Sequence, residues 1–102
     1  MATDGVTGIS PRFDRKLASE SSITLAVANA HRRGLAITNE ADTNLRVKRG
    51  SNAALDSYSV LIPPNAYWEM PTFAGRLYTG IVTGIWETGV NTALEANIEE
   101  ML

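Results

Sequence analysis

A chain of 102 residues with a formal net charge of −2 and no cysteine is one small domain with no disulfide and no thiolate metal site. Such a chain buries roughly 60–70% of its unfolded surface, so its single core has little reserve and oligomerisation is the usual reinforcement. The weak acidity predicts neither strong nucleic-acid affinity nor a polybasic membrane anchor, and no apolar stretch is long enough to span a bilayer. The expected partners therefore include no nucleic acid and no membrane.

The N-terminus, "MATDGVTGISPRFDRK", has no apolar run behind a basic start. It does not read as a secretory signal, and a soluble protein made in the cytoplasm is expected. Residues 1–20 stand apart as an N-terminal arm, with only Phe13 and Leu17 as apolar anchors. "SPRFDRKLAS" permits one helical turn, with Ser10 as N-cap and Pro11 at the first position. The arm is either a flexible tail or a segment lying on a neighbouring subunit. In the second case Phe13 is the anchor and Arg12, Arg15 and Lys16 are the charged contacts.

From residue 21 to residue 102 the pattern is period two, the mark of half-buried strands. "SITLAV" turns Ile23, Leu25 and Val27 to one face. "GLAITNE" turns Leu35 and Ile37 inward, and "NLRVKRG" does the same for Leu45 and Val47, leaving Arg46 and Lys48 outside. "SYSVLIP" aligns Tyr58, Val60 and Ile62. "ALEANIE" aligns Leu94, Ala96 and Ile98 against Glu95, Asn97 and Glu99, and reads as strand in preference to a short helix. "NEADTN" and "RGSNAALDS" carry turn chemistry, and "PPN" stops one strand before "AYWEM" starts another. Strands are expected at 22–28, 34–39, 44–49, 57–62, 66–70, 77–87 and 92–99. About seven short strands without a long helical pattern predict an all-β fold, a small antiparallel sandwich or barrel.

"YTGIVTGIWETG" mixes strand formers with Gly80, Gly84 and Gly89. Gly80 and Gly84 fall on one face of an extended strand. That face admits either the close approach of another chain or a local bend or bulge. Trp86 reads as a core plug beside Ile81 or Val82, with a subunit interface or a ligand platform as alternatives.

No catalytic, cofactor-binding or metal site is expected. His31 is the sole histidine. No Gly-x-Ser-x-Gly elbow accompanies it, and zinc needs more His or Cys than the chain has. Glu99 and Glu100 are adjacent, so on a strand they face opposite sides and cannot share an acid/base task. "TGIVTG" is followed by no Lys-Ser/Thr pair and matches no phosphate loop. Eight of the nine Lys/Arg lie in residues 1–60. This is either an ordinary solvated surface or the basis of a self-complementary assembly.

The run "ANAHRRGLAITNEADTNLRVKRG", then "SYSVLIPPNAYWEMP" and "YTGIVTGIW", resembles small β domains of tailed-bacteriophage virion structural proteins, of the head decoration (cement) or head-fibre type. It covers about residues 28 to 86. The resemblance implies a non-enzymatic subunit located on the capsid surface of the virion and made in the host cytoplasm. It also implies the major capsid protein as partner and self-association as a homo-oligomer, with a trimer the favoured symmetry. The candidate capsid or subunit interface is then Arg12, Phe13, Arg15, Lys16, Arg32, Arg33, Gly80 and Gly84. A carbohydrate-binding sandwich or a tail- or fibre-associated adhesion subunit is the alternative.

Overall fold

A computed structural model of the protein describes residues 10–102. These residues form eight strands: β1 (Pro11–Leu17), β2 (Ile23–Ala26), β3 (Gly34–Asn39), β4 (Leu45–Arg49), β5 (Val60–Ile62), β6 (Tyr67–Glu69), β7 (Val82–Trp86) and β8 (Glu95–Met101). They build two four-stranded sheets, in the orders β1-β8-β3-β6 and β2-β7-β4-β5. Every pairing between these strands is antiparallel. Only β4 and β5 are joined within one sheet; every other connection crosses between sheets. That order is the jelly-roll form of the β-sandwich.

The expected period-two faces meet between the sheets. Leu35, Ile37, Ala96 and Ile98 of the first sheet pack in one core with Leu25, Leu45, Val47, Ile62, Val82 and Trp86 of the second. Burying each large apolar side chain contributes about 1.5–3 kcal/mol. One polar side chain joins them: Asn39, at the end of β3, is fully buried. Its Nδ2 donates to the carbonyls of Thr43 and Ile62, both at 2.9 Å. Its Oδ1 accepts from the Trp86 indole at 3.0 Å and the Ala41 amide at 3.1 Å. Both donors are used, so the buried amide carries no desolvation penalty for an unmade bond.

Three departures from expectation concern β1, β2 and β5. First, residues 11–17 are neither a helical turn nor a detached arm: β1 pairs with β8 along its whole length. The sandwich therefore begins by Pro11 and not at residue 21. Residues 1–9 of the expected arm lie outside the described residues. Second, β2 carries a bulge between Thr24 and Ala26. The irregularity inverts the alternation, so Leu25 and Ala26 are both buried while Val27 turns out to solvent. Third, β5 starts at Val60, and Tyr58 lies outside it, exposed and stacked over the Arg46 guanidinium at 5.2 Å.

Gly84 faces the core. A Cβ built there would stand 2.6 Å from Leu25 Cδ1 and 3.0 Å from Leu45 Cδ1. The close approach is made by side chains of the same chain. Gly84→Val should therefore destabilise the monomer by about 1–3 kcal/mol, the usual range for an overpacked core. Urea unfolding of a dilute sample checks this, with a lowered midpoint expected even where no assembly is present.

Candidate interaction surface

β1 is an edge strand of the first sheet, and its two faces are unlike. Arg12, Asp14 and Lys16 pair across to Glu100, Ile98 and Ala96, on the side that faces the second sheet. With Thr24, Leu25, Ala26 and Val27 of the facing edge they line a cleft of about 90 Å³. Lys16 Nζ lies 3.1 Å from Asp14 Oδ2, and this hydrogen bond, ahead of other causes, holds the Asp14 carboxyl below its usual range. Phe13, Arg15 and Leu17 occupy the outer face, where Phe13 is 61% and Leu17 57% exposed. Inward charges on an edge strand also discourage open-ended strand pairing.

Period two carries β8 past Ile98 to Glu100, which places a carboxylate inside. Glu100 is buried and bonded to two guanidiniums. Arg12 Nη2 donates to its Oε1, and Arg32 Nε donates to its Oε2 at 2.7 Å. The Arg32 side chain is wholly buried. Its Nη1 donates to the carbonyls of Tyr78 at 3.1 Å and Gly80 at 3.0 Å, and its Nη2 to that of Val27 at 2.7 Å. Arg32 thus ties the β2–β3 and β6–β7 connections to the last strand.

Of the candidate interface residues, the structure leaves Arg12, Phe13, Arg15 and Arg33 exposed and Lys16 half-buried. Arg32 and Gly84 are corrections: both are inside the fold, Arg32 because its charge is matched by Glu100, Gly84 because Leu25 and Leu45 fill the space above it. Gly80 precedes β7, so it does not share a strand face with Gly84. A Cβ at Gly80 would strike the Tyr78 hydroxyl, which donates to the Ile81 carbonyl at 2.9 Å. His31 is an exposed turn residue, and Trp86 is core.

The turn expected in "RGSNAALDS" closes at Ala54–Ser57, and a second, unexpected tip closes at Phe73–Arg76. Ala54 and Ser57 exchange backbone hydrogen bonds, as do Phe73 and Arg76. The second is a two-residue hairpin whose central residues Ala74 and Gly75 have φ of 52° and 72°, the left-handed conformation of a type I′ turn. Alanine in that region is strained. The tips project Leu55 and Phe73, 46% and 59% exposed. Arg49 lies over the Phe73 ring at 4.9 Å. The dipeptide "AG" in "FAGR" is a weaker turn signal than Asn-Gly, so this hairpin is hard to read from the sequence.

Two ion pairs, one exposed and one half-buried, shift titrations. Glu87 accepts from Asn44 Nδ2 at 3.2 Å and Arg46 Nη1 at 2.6 Å. These hydrogen bonds hold its carboxyl below the usual range, and Glu87 in turn raises Arg46. Arg15 is raised by Glu40, 2.7 Å away. No protein family, characterised relative or solved structure matches the chain.

Two outcomes follow from these contacts. Arg32→Met removes the buried one of the two partners of the Glu100 carboxylate, and unfolding free energy should fall by about 3–5 kcal/mol; denaturant titration at neutral pH checks this. For Glu87 the folded pKa is depressed, so its contribution is complete above the ordinary glutamate range and lost as pH falls through the lowered value. Glu87→Gln should therefore be less stable than the parent at pH about 7, and the gap should close in acid below about 4. Parallel urea midpoints across that interval measure it.

Proposed function

We propose that this protein is a non-enzymatic structural subunit of a tailed-phage virion, a decoration subunit that binds the major capsid protein shell and stabilises the head. The observation that carries the reading is the strand order β1-β8-β3-β6 over β2-β7-β4-β5, the jelly-roll architecture used by viral capsid domains. The motif resemblance over residues 28 to 86 supports it from the sequence side. Leu55 and Phe73, exposed on connections at the same end of the sandwich, offer apolar contact area to a docking partner. On this reading the protein is made in the host cytoplasm and resides on the outer surface of the capsid.

Jelly rolls also serve as lectins, and a fold hosts many functions. Tyr67 is 61% exposed on the outer face of the first sheet, where it could stack on a sugar ring. Carbohydrate binding, alone or within an adhesion subunit, is therefore the second reading.

The test is co-sedimentation of the full chain with capsid shells lacking it. Saturable binding at a fixed number of copies per shell, with a raised shell melting temperature, is expected. Saturable binding to a glycan panel with no binding to shells would replace the first reading with the second.

A further inference from the structure

The sandwich is electrically polarised along its strands. The β2–β3, β4–β5 and β6–β7 connections all leave from one end, and the other four leave from the opposite end. Those other four connections span 18–22, 40–44, 63–66 and 87–94, and contain no Lys or Arg. They carry Glu20, Glu40, Asp42 and Glu87, and Glu95 opens β8 beside them. Arg15 and Arg46 are the cations that reach this group, so carboxylates remain in excess.

The first end is the reverse. Arg33 and Arg76 are exposed in its connections, Lys48 and Arg49 close β4 there, and the Arg12–Glu100–Arg32 cluster retains one net positive charge. Asp56 in the three connections, and Glu69 and Glu99 near the ends of β6 and β8, offset part of this charge, and cations remain in excess. Each end also presents apolar side chains to solvent: Leu55, Phe73 and Val27 at the basic end, Leu17 and Tyr67 at the acidic end. Complementary charge steers and registers an encounter, while exposed aromatics and aliphatics supply contact area.

We infer that copies of the chain associate head to tail, the acidic end of one seated on the basic end of the next. The two patches point in opposite directions along one axis, so the contact is heterologous and open. It builds rows of copies, and a compact closed trimer would not use it. This association holds whether or not the chain sits on a virion.

Sedimentation velocity of the full chain tests it. In about 10 mM salt, where screening extends about 30 Å, the mass should rise with concentration through successive multiples of the monomer. The association should weaken at least about tenfold at physiological ionic strength. Arg33→Glu with Arg76→Glu makes both ends acidic, and Glu20→Lys with Asp42→Lys makes both ends basic. Each variant alone should stay monomeric, and an equimolar mixture should associate again. Glu20→Gln with Asp42→Asn keeps the acceptor oxygens that bond the Gly89 and Asn91 amides; it should fold as the parent does and associate more weakly. A chain that stays monomeric at low salt, a discrete oligomer indifferent to salt, or a conservative variant that associates as strongly as the parent would overturn the assignment.

Discussion

The buried pair of Arg32 and Glu100 is the constraint on which the basic end of the sandwich depends. The β2–β3 and β6–β7 connections meet there, against the end of β8. Arg32 joins them through bonds to Val27, Tyr78 and Gly80 and an ion pair to β8. Taking both charges out of water is expensive, and the return depends on nearly complete hydrogen bonding. Four bonds from one guanidinium, with Arg12 on the second oxygen of Glu100, meet that condition. At the opposite end Asn39 plays the matching part without charge, joining β3 to the Ile62 carbonyl and the Trp86 indole. The apolar core lies between these two polar ties.

The legible parts of the sequence are those where alternation serves burial alone. β3 and β4 keep Leu35, Ile37, Leu45 and Val47 inside, as period two requires. β8 does the same with Ala96 and Ile98, but its next inward position is Glu100, and an acidic pair at a strand end gives no sign that one member is buried. β1 was illegible for a related reason. Its inner face is Arg12, Asp14 and Lys16, so hydrophobic periodicity vanishes just where pairing with β8 is most regular. Arg32 sits in a turn-like "HRRG", and only the fold shows that one of two adjacent arginines is interior. The bulge that turns out Val27 depends on the registry of β2 against β7, which is not a local property.

The glycines divide in the same way. Gly84 is a packing residue: the Leu25 and Leu45 side chains take the volume that a Cβ would need. Gly80 is shaped by its neighbour, because Tyr78 folds across it to reach the Ile81 carbonyl. Its own carbonyl then accepts from Arg32. A sequence reading can detect that something lies close to these backbones. It cannot tell a side chain of the same chain from a partner, because the two leave the same gap.

The edges and ends of the sandwich have been treated differently by the sequence, and that contrast bears on assembly. β5 and β6, each an outer strand of its sheet, are three residues long, and β1 has charges on its inner face. Short or charged edges resist the addition of a further strand, so growth by sheet extension is disfavoured on those sides. The ends lack such protection. They carry the exposed aromatic and aliphatic groups and the segregated charge, and they are made of connections, where substitution least disturbs the core. A jelly roll sends its connections alternately to two ends, so a chain whose odd and even connections differ in charge becomes a polar object without altering a single core position. The polarity is thus carried by the order of the connections, while Arg32 and Asn39 keep those connections at fixed positions for any neighbour that meets them.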